Sequence, residues 1–246
     1  ALLGVAAATV ANRPGAHELL ETMLQEQKDY WIDDYGLVWD QYDEAFNEPV
    51  PVHTLGTLIH TIEAYMAAAE ATTEPEWLDR AEKLAAFAYK VASKNGWCIP
   101  EYFDENWEAN HEAGKLLNDG RRYYKGYVTG HSMQLARFAL QVRAGLRSMG
   151  WDVPDYLLEM GTELFERARV DGWRRTDACP GFSTGVDDEG DPIPGEDEHQ
   201  QWVVCEGVCA AVAVRRAMLD DGSRIPDVEH FEHCYRSFVD YIHDYL

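Results

Sequence analysis

Apolar positions recur every three to four residues along most of this chain, the period of helices that bury one face. An Ala/Val-rich run over residues 2 to 11 stops at Arg13-Pro14-Gly15, and an amphipathic stretch follows from about Ala16 to Trp31. The same pattern predicts helices over about His53 to Thr72 and Glu76 to Lys94, with Asn95-Gly96 as an exit suited to positive φ. A third pair is expected over Thr129 to Met149 and Pro154 to Asp171, where Pro154 fits a first turn. A fourth covers Gln201 to Leu219 and Pro226 to Leu246. Between the pairs lie polar and aromatic stretches, Tyr35 to Val52, Gly96 to Val128 and Gly172 to Gln200. These exceed the ~12 to 15 residues of ordinary connections, and their aromatic content argues for ordered, functional loops. Within the last, Pro180 to Pro194 alternates enough to form a short hairpin turning at Glu189-Gly190.

The order is therefore two helices, then an elaborate loop, then two helices again. Helical hairpins stacked with their long loops at one end make a toroid whose loop end is a natural concave site. About eight helices can be counted, fewer than a closed barrel of six hairpins contains, so the toroid is expected to be incomplete. The chain starts at Ala1 without methionine and stops at Leu246 within a helical pattern, and both ends read as cut.

Composition narrows the function classes. With 246 residues and 46% hydrophobic content one sizeable core can form, and a single domain over residues 1–246 is expected. A formal charge of -23 repels phosphate backbones and anionic lipid, so neither nucleic acid nor a membrane is an expected partner. Five cysteines at 98, 179, 205, 209 and 234 show no CxxC and no paired framework, which suits a reducing compartment; the expected location is the cytoplasm. Cys205 and Cys209 share a helix face and read as small core thiols. His230 and His233 are spaced to share a metal, but nothing completes the set, and no metal site is expected. A Gly-rich phosphate cradle, a GxSxG elbow and HExxH are all missing from the sequence.

Several residues can carry chemistry. In Gly96-Trp-Cys-Ile-Pro-Glu-Tyr-Phe-Asp-Glu-Asn-Trp107, aromatic planes flank Glu101 and Asp104, a way to hold sugar hydroxyls, or else to pin a loop around solvated acids. Gly126-Tyr-Val-Thr-Gly-His131 leads into a helix, where the dipole favours a neutral imidazole able to accept a proton. His131 is thus a general base or a structural hydrogen bonder. His60 and Glu63, three apart on one helix, form an orienting pair, unless His60 is a core residue among Leu58, Ile59 and Ile62. Trp202 and Glu206, four apart, can line one side of a cavity, and Glu206 can equally serve a buried capping role.

As a set, these motifs resemble the N-acylglucosamine 2-epimerase superfamily, most closely its mannose isomerase branch. The matching pieces run in family order: His60-Thr-Ile-Glu63-Ala64, then Trp77-Leu-Asp-Arg80-Ala81, Pro100-Glu101-Tyr-Phe103-Asp104 with Trp107, Gly130-His131 followed by Ala136-Arg137, Asp171-Gly172-Trp173, and Trp202-Val-Val-Cys-Glu206. The resemblance implies an all-α (α/α)6 toroid and a cofactor-free aldose-ketose isomerase of the mannose/fructose type, passing a proton through an enediol. It implies His131 as catalytic base and His60, Glu63, Glu101, Asp104, Gln134, Trp202 and Glu206 as substrate-binding residues. A monosaccharide is the expected partner, and a homo-oligomer is compatible with the pattern. The family's glutamate three residues after the histidine is Gln134 here, Gly56 replaces a common asparagine, and Gln201 stands where relatives carry histidine or lysine. The second catalytic histidine and an N-terminal arginine of relatives fall outside these residues. Three alternatives stay open: a sugar 2-epimerase of the N-acylglucosamine or cellobiose type, a glycoside hydrolase pairing Glu101 with Asp104, and a non-catalytic sugar-binding remnant.

Overall fold

The computed structural model describes residues 1–110, 126–174, 180–194 and 199–246. Cys179 and part of the second and third long loops lie outside the described residues. The eight expected helices are all present: α1 (Leu2–Val10), α2 (Ala16–Glu26), α3 (Leu55–Thr72), α4 (Pro75–Lys94), α5 (Thr129–Ser148), α6 (Tyr156–Gly172), α7 (Gln201–Asp220) and α8 (Ile225–Tyr245). Short strands join them in pairs: β1 (Val52–Thr54), β2 (Tyr102–Asp104), β3 (Tyr127–Val128), β4 (Trp173–Arg174), β5 (Gly181–Phe182) and β6 (Gly185–Val186). The described residues divide into two compact units, 1–87 with 102–110, and 88–101 with 126 onward.

In the first unit, α1 packs on α2 and α3. The buried stripe of α2 is Ala16, Leu20 and Leu24, a strict i,i+4 row, and α3 buries Leu55, Leu58, Ile59, Ile62, Tyr65 and Ala68 along one face. The predicted run to Trp31 continues from α2 as one π-helical turn, Gln27–Trp31. Thr54 caps α3 by accepting the Thr57 amide at 3.1 Å, which fixes the helix start immediately after β1. β1 pairs antiparallel with β2, placing His53 opposite Phe103. His53 is wholly buried, its ring stacked 4.1 Å from Trp107 and 4.9 Å from Trp39, and its Nδ1–H donates to the Val38 carbonyl at 2.9 Å. Its Nε2 is buried without a hydrogen-bond partner among the described residues.

In the second unit, α5 is buried on most of its surface and packs against both α6 and α7, while α7 also packs on α8. The expected turn at Glu189-Gly190 is present: Asp187 Oδ1 accepts the amides of Glu189 and Asp191, and Gly190 has φ 91°. The expected hairpin closes as a short one, with Val186 bridging Pro192 and the Ile193 amide donating to the Gly185 carbonyl at 3.1 Å. In addition, β5 pairs with β4 on the chain leaving α6, and β6 pairs with β3 on the chain entering α5. Gly126 (φ 146°) permits the β3–β6 approach, since a Cβ there would sit 2.1 Å from the Val186 carbonyl oxygen. Cys205 and Cys209 are exposed, contrary to the core role read from sequence. The buried side of α7 is taken by Val203, Val204, Gly207, Ala210, Ala211 and Val214, which leaves positions 205 and 209 on the other face.

Two predictions follow from these cores. Burial holds the His53 imidazole below its ordinary value, with Asp40, Asp33 and Asp104 partly opposing that effect. The unfolded chain therefore takes up a proton near pH 6.5 that the folded chain refuses, so His53 costs stability as pH falls below that value and none above it. Denaturant titrations of His53→Phe from about pH 7 to about pH 5 should show a shallower acid loss than wild type; an equal slope contradicts this. Tyr127 is fully buried and its hydroxyl donates to Asp171 at 2.7 Å. Tyr127→Phe should lower the unfolding free energy by about 1 to 2 kcal/mol in urea melts.

Candidate active site

Residues 127–131 lead from β3 into α5, and almost every one of them is tied down. The Tyr127 hydroxyl donates to Asp171 at 2.7 Å and the Val128 amide to Glu101 Oε1 at 2.9 Å. The Thr129 amide donates to the Thr184 carbonyl at 3.0 Å and its hydroxyl to the Ser183 carbonyl at 2.7 Å. Gly130 lies under the indole of Trp202, where a Cβ would come within 2.4 Å of the ring. His131 then donates from Nδ1 to Glu101 Oε2 at 2.7 Å.

Glu101 is thus the hinge of the arrangement. Only 5% exposed, it uses one oxygen for the backbone at the head of α5 and the other for the imidazole. A carboxylate removed from water needs charge-assisted partners, and the positive end of α5 adds a third favourable term. Because an ionised carboxylate can only accept, the imidazole carries its proton on Nδ1, and Nε2 is the acceptor edge. The His131 side chain is 18% exposed, and the ring of Trp202 stands 5.5 Å from it at 46°. Trp202 is held in turn by donation from Nε1 to Gln200 Oε1 at 2.6 Å. Farther along, Glu206 of α7 receives Arg137 of α5 through two bonds, at 3.0 and 3.1 Å, fixing the spacing of the two helices below the site.

The structure therefore gathers Glu101, His131 and Trp202, with Gln134 and Glu206 on adjoining turns of α5 and α7. Gln134 is buried at 7% exposure, and the orienting bond to His131 comes from Glu101. The other candidates belong to the first unit. Asp104 Oδ1 accepts the amides of Asn106 and Glu108, so this carboxylate shapes its own turn. His60 is exposed, which removes the core alternative, and its Nδ1 lies 3.6 Å from Glu63 Oε2. Among the described residues no cluster of three His, Cys, Asp or Glu could hold a metal ion; His230 instead meets Glu166 at 2.8 Å. Nor is any helix there long and apolar enough to cross a membrane.

Sequence reasoning missed two polar groups beside the site. The Ser132 hydroxyl is fully buried without a hydrogen-bond partner among the described residues, as is Nδ1 of His199, which lies near Gly181 ahead of α7. A helix-interior serine gives no signal. His199, close before the Trp202 motif, was legible as a histidine at a helix start. Glu101 as an imidazole partner was not legible, because His131 lies 30 residues along the chain.

Comparison with known proteins fits this picture. The chain is 32% identical to a D-mannose isomerase of Thermobifida fusca over all of its own length, and it spans 57% of that relative. A crystal structure of D-mannose isomerase superposes with TM-score 0.82 at 22% identity, covering 98% of this chain and 57% of that one. Cellobiose 2-epimerase from Spirochaeta thermophila DSM 6192 gives TM-score 0.74 at 16% identity, covering 100% and 57%. These likenesses show the fold class expected from sequence, all-α of the (α/α)6 toroid kind. The N-acylglucosamine 2-epimerase (GlcNAc 2-epimerase) family matches across residues 1–246, and the chain belongs to that family.

Proposed function

We propose that this chain carries the proton-transfer site of a sugar isomerase that interconverts an aldose and a ketose, of the D-mannose/D-fructose type. The observation that carries the reading is the His131–Glu101 pair, 2.7 Å apart at the head of α5 and beside an exposed tryptophan. With Nδ1–H committed to Glu101, Nε2 takes the proton from C2 of the open-chain aldose. The electrons of that C–H bond form the C1–C2 double bond of an enediol as the carbonyl oxygen gains a proton. Return of a proton to C1, with loss of the O2 proton and re-formation of a carbonyl at C2, gives the ketose. Glu101 keeps the imidazole in the accepting tautomer and stabilises the imidazolium that forms. The Trp202 face suits the C–H side of a pyranose. The similarity to D-mannose isomerases favours return at C1 over return at C2, which would give the epimer.

Protein expressed from its full reading frame, given D-mannose in deuterium oxide, should yield D-fructose labelled at C1. His131→Ala should lower kcat on the order of 10²- to 10⁴-fold with the fold intact by circular dichroism. Label at C2 of an aldose would replace isomerisation with epimerisation, and no exchange at either carbon with any aldose would sink the reading. Glu101→Gln should lower kcat by about 10²-fold and change its pH profile, with a smaller effect on KM. An unchanged pH profile would remove Glu101 from the mechanism.

A further inference from the structure

Below the Arg137–Glu206 bridge a groove of about 620 Å³ runs between α5 and α7. Leu140 and Val212 contribute apolar surface to it, and Arg137, Arg143, Arg147 and Arg216 line it with a single carboxylate, Asp220. In a chain of charge -23 this is an unusual gathering of cations. Two internal carboxylates take part of it: Glu206 holds Arg137, and Asp221 is shared by Arg143 and Arg147. Counting both, four cations still face three acids. The remainder is specific. Arg143 is 6% exposed, and its Nε is buried without a hydrogen-bond partner among the described residues. Arg216 is exposed, and no hydrogen bond or ion pair engages it among the described residues.

Four guanidinium groups around one groove outnumber the acids that face them, and a neutral sugar leaves the cation surplus in place. Guanidinium forks match phosphate oxygens, the volume lies within the usual range for small-molecule sites, and the apolar wall suits the C–H face of a sugar ring. We propose that this groove binds the phosphate ester of a monosaccharide, with Arg216 on the phosphate and the ring against Leu140 and Val212. The ligand would tie α5 to α7, the helices whose first turns carry His131 and Trp202. The site is separate from the proton-transfer pair and does not depend on the isomerase reading.

Isothermal titration at ionic strength fixed with sodium chloride tests it directly, using inorganic phosphate and glucose 6-phosphate as probes. Both should bind saturably, the ester about ten-fold tighter. Arg216→Ala, a change at an exposed side chain, should weaken both by about ten-fold or more, and Arg216→Glu should abolish them. Unphosphorylated glucose should be unaffected by either substitution. Absence of saturable binding by both probes, or equal affinity in wild type and both variants, would overturn the site. Phosphate binding as tightly as the ester would overturn its assignment to a sugar phosphate.

Discussion

A single buried carboxylate organises the candidate site. Both oxygens of Glu101 need partners away from water, and the groups that supply them are the Val128 amide and the His131 imidazole. The first sets where α5 begins. The second sets which edge of the imidazole is basic. One electrostatic requirement therefore determines both the local fold and the protonation pattern of the residue best placed for chemistry.

Neighbouring contacts make the arrangement rigid. Thr129 is held by the carbonyls of Ser183 and Thr184, Tyr127 by Asp171, and Gly130 by the overlying Trp202. Each contact reaches a different segment, so a shift of the head of α5 disturbs contacts to α6, to the β5–β6 segment and to α7 at once. Such positioning from a surrounding scaffold is what proton transfer requires, because a base must be held within hydrogen-bond reach of carbon-bound hydrogen. The same logic reappears lower down, where Arg137 and Glu206 fix α5 against α7 and open into the arginine-lined groove.

Much of this was legible in the sequence, for physical reasons. Helix limits followed from apolar spacing and from punctuation such as Arg13-Pro14-Gly15 and Asn95-Gly96, which act locally. His131 at a helix start was legible for the same reason. Strand pairing was not: β5 and β6 answer to partners far along the chain, and two-residue strands carry no period of their own. The exposure of Cys205 and Cys209 was likewise hidden, because periodicity locates a face but not which face is buried when both are apolar. Glu101 was visible as a sugar-side acid, while its bond to a histidine 30 residues away required the fold. His53, enclosed by Trp39 and Trp107, gave no sequence signal, since its neighbours come from three separate segments.

The proposed proton transfer requires one tautomer of His131. Nitrogen-15 NMR of the imidazole in the wild-type protein near neutral pH measures it directly. The account expects the proton on Nδ1 and the lone pair on Nε2, with that preference lost in Glu101→Gln. A ring protonated mainly on Nε2, or one whose tautomer ignores the substitution, would contradict it.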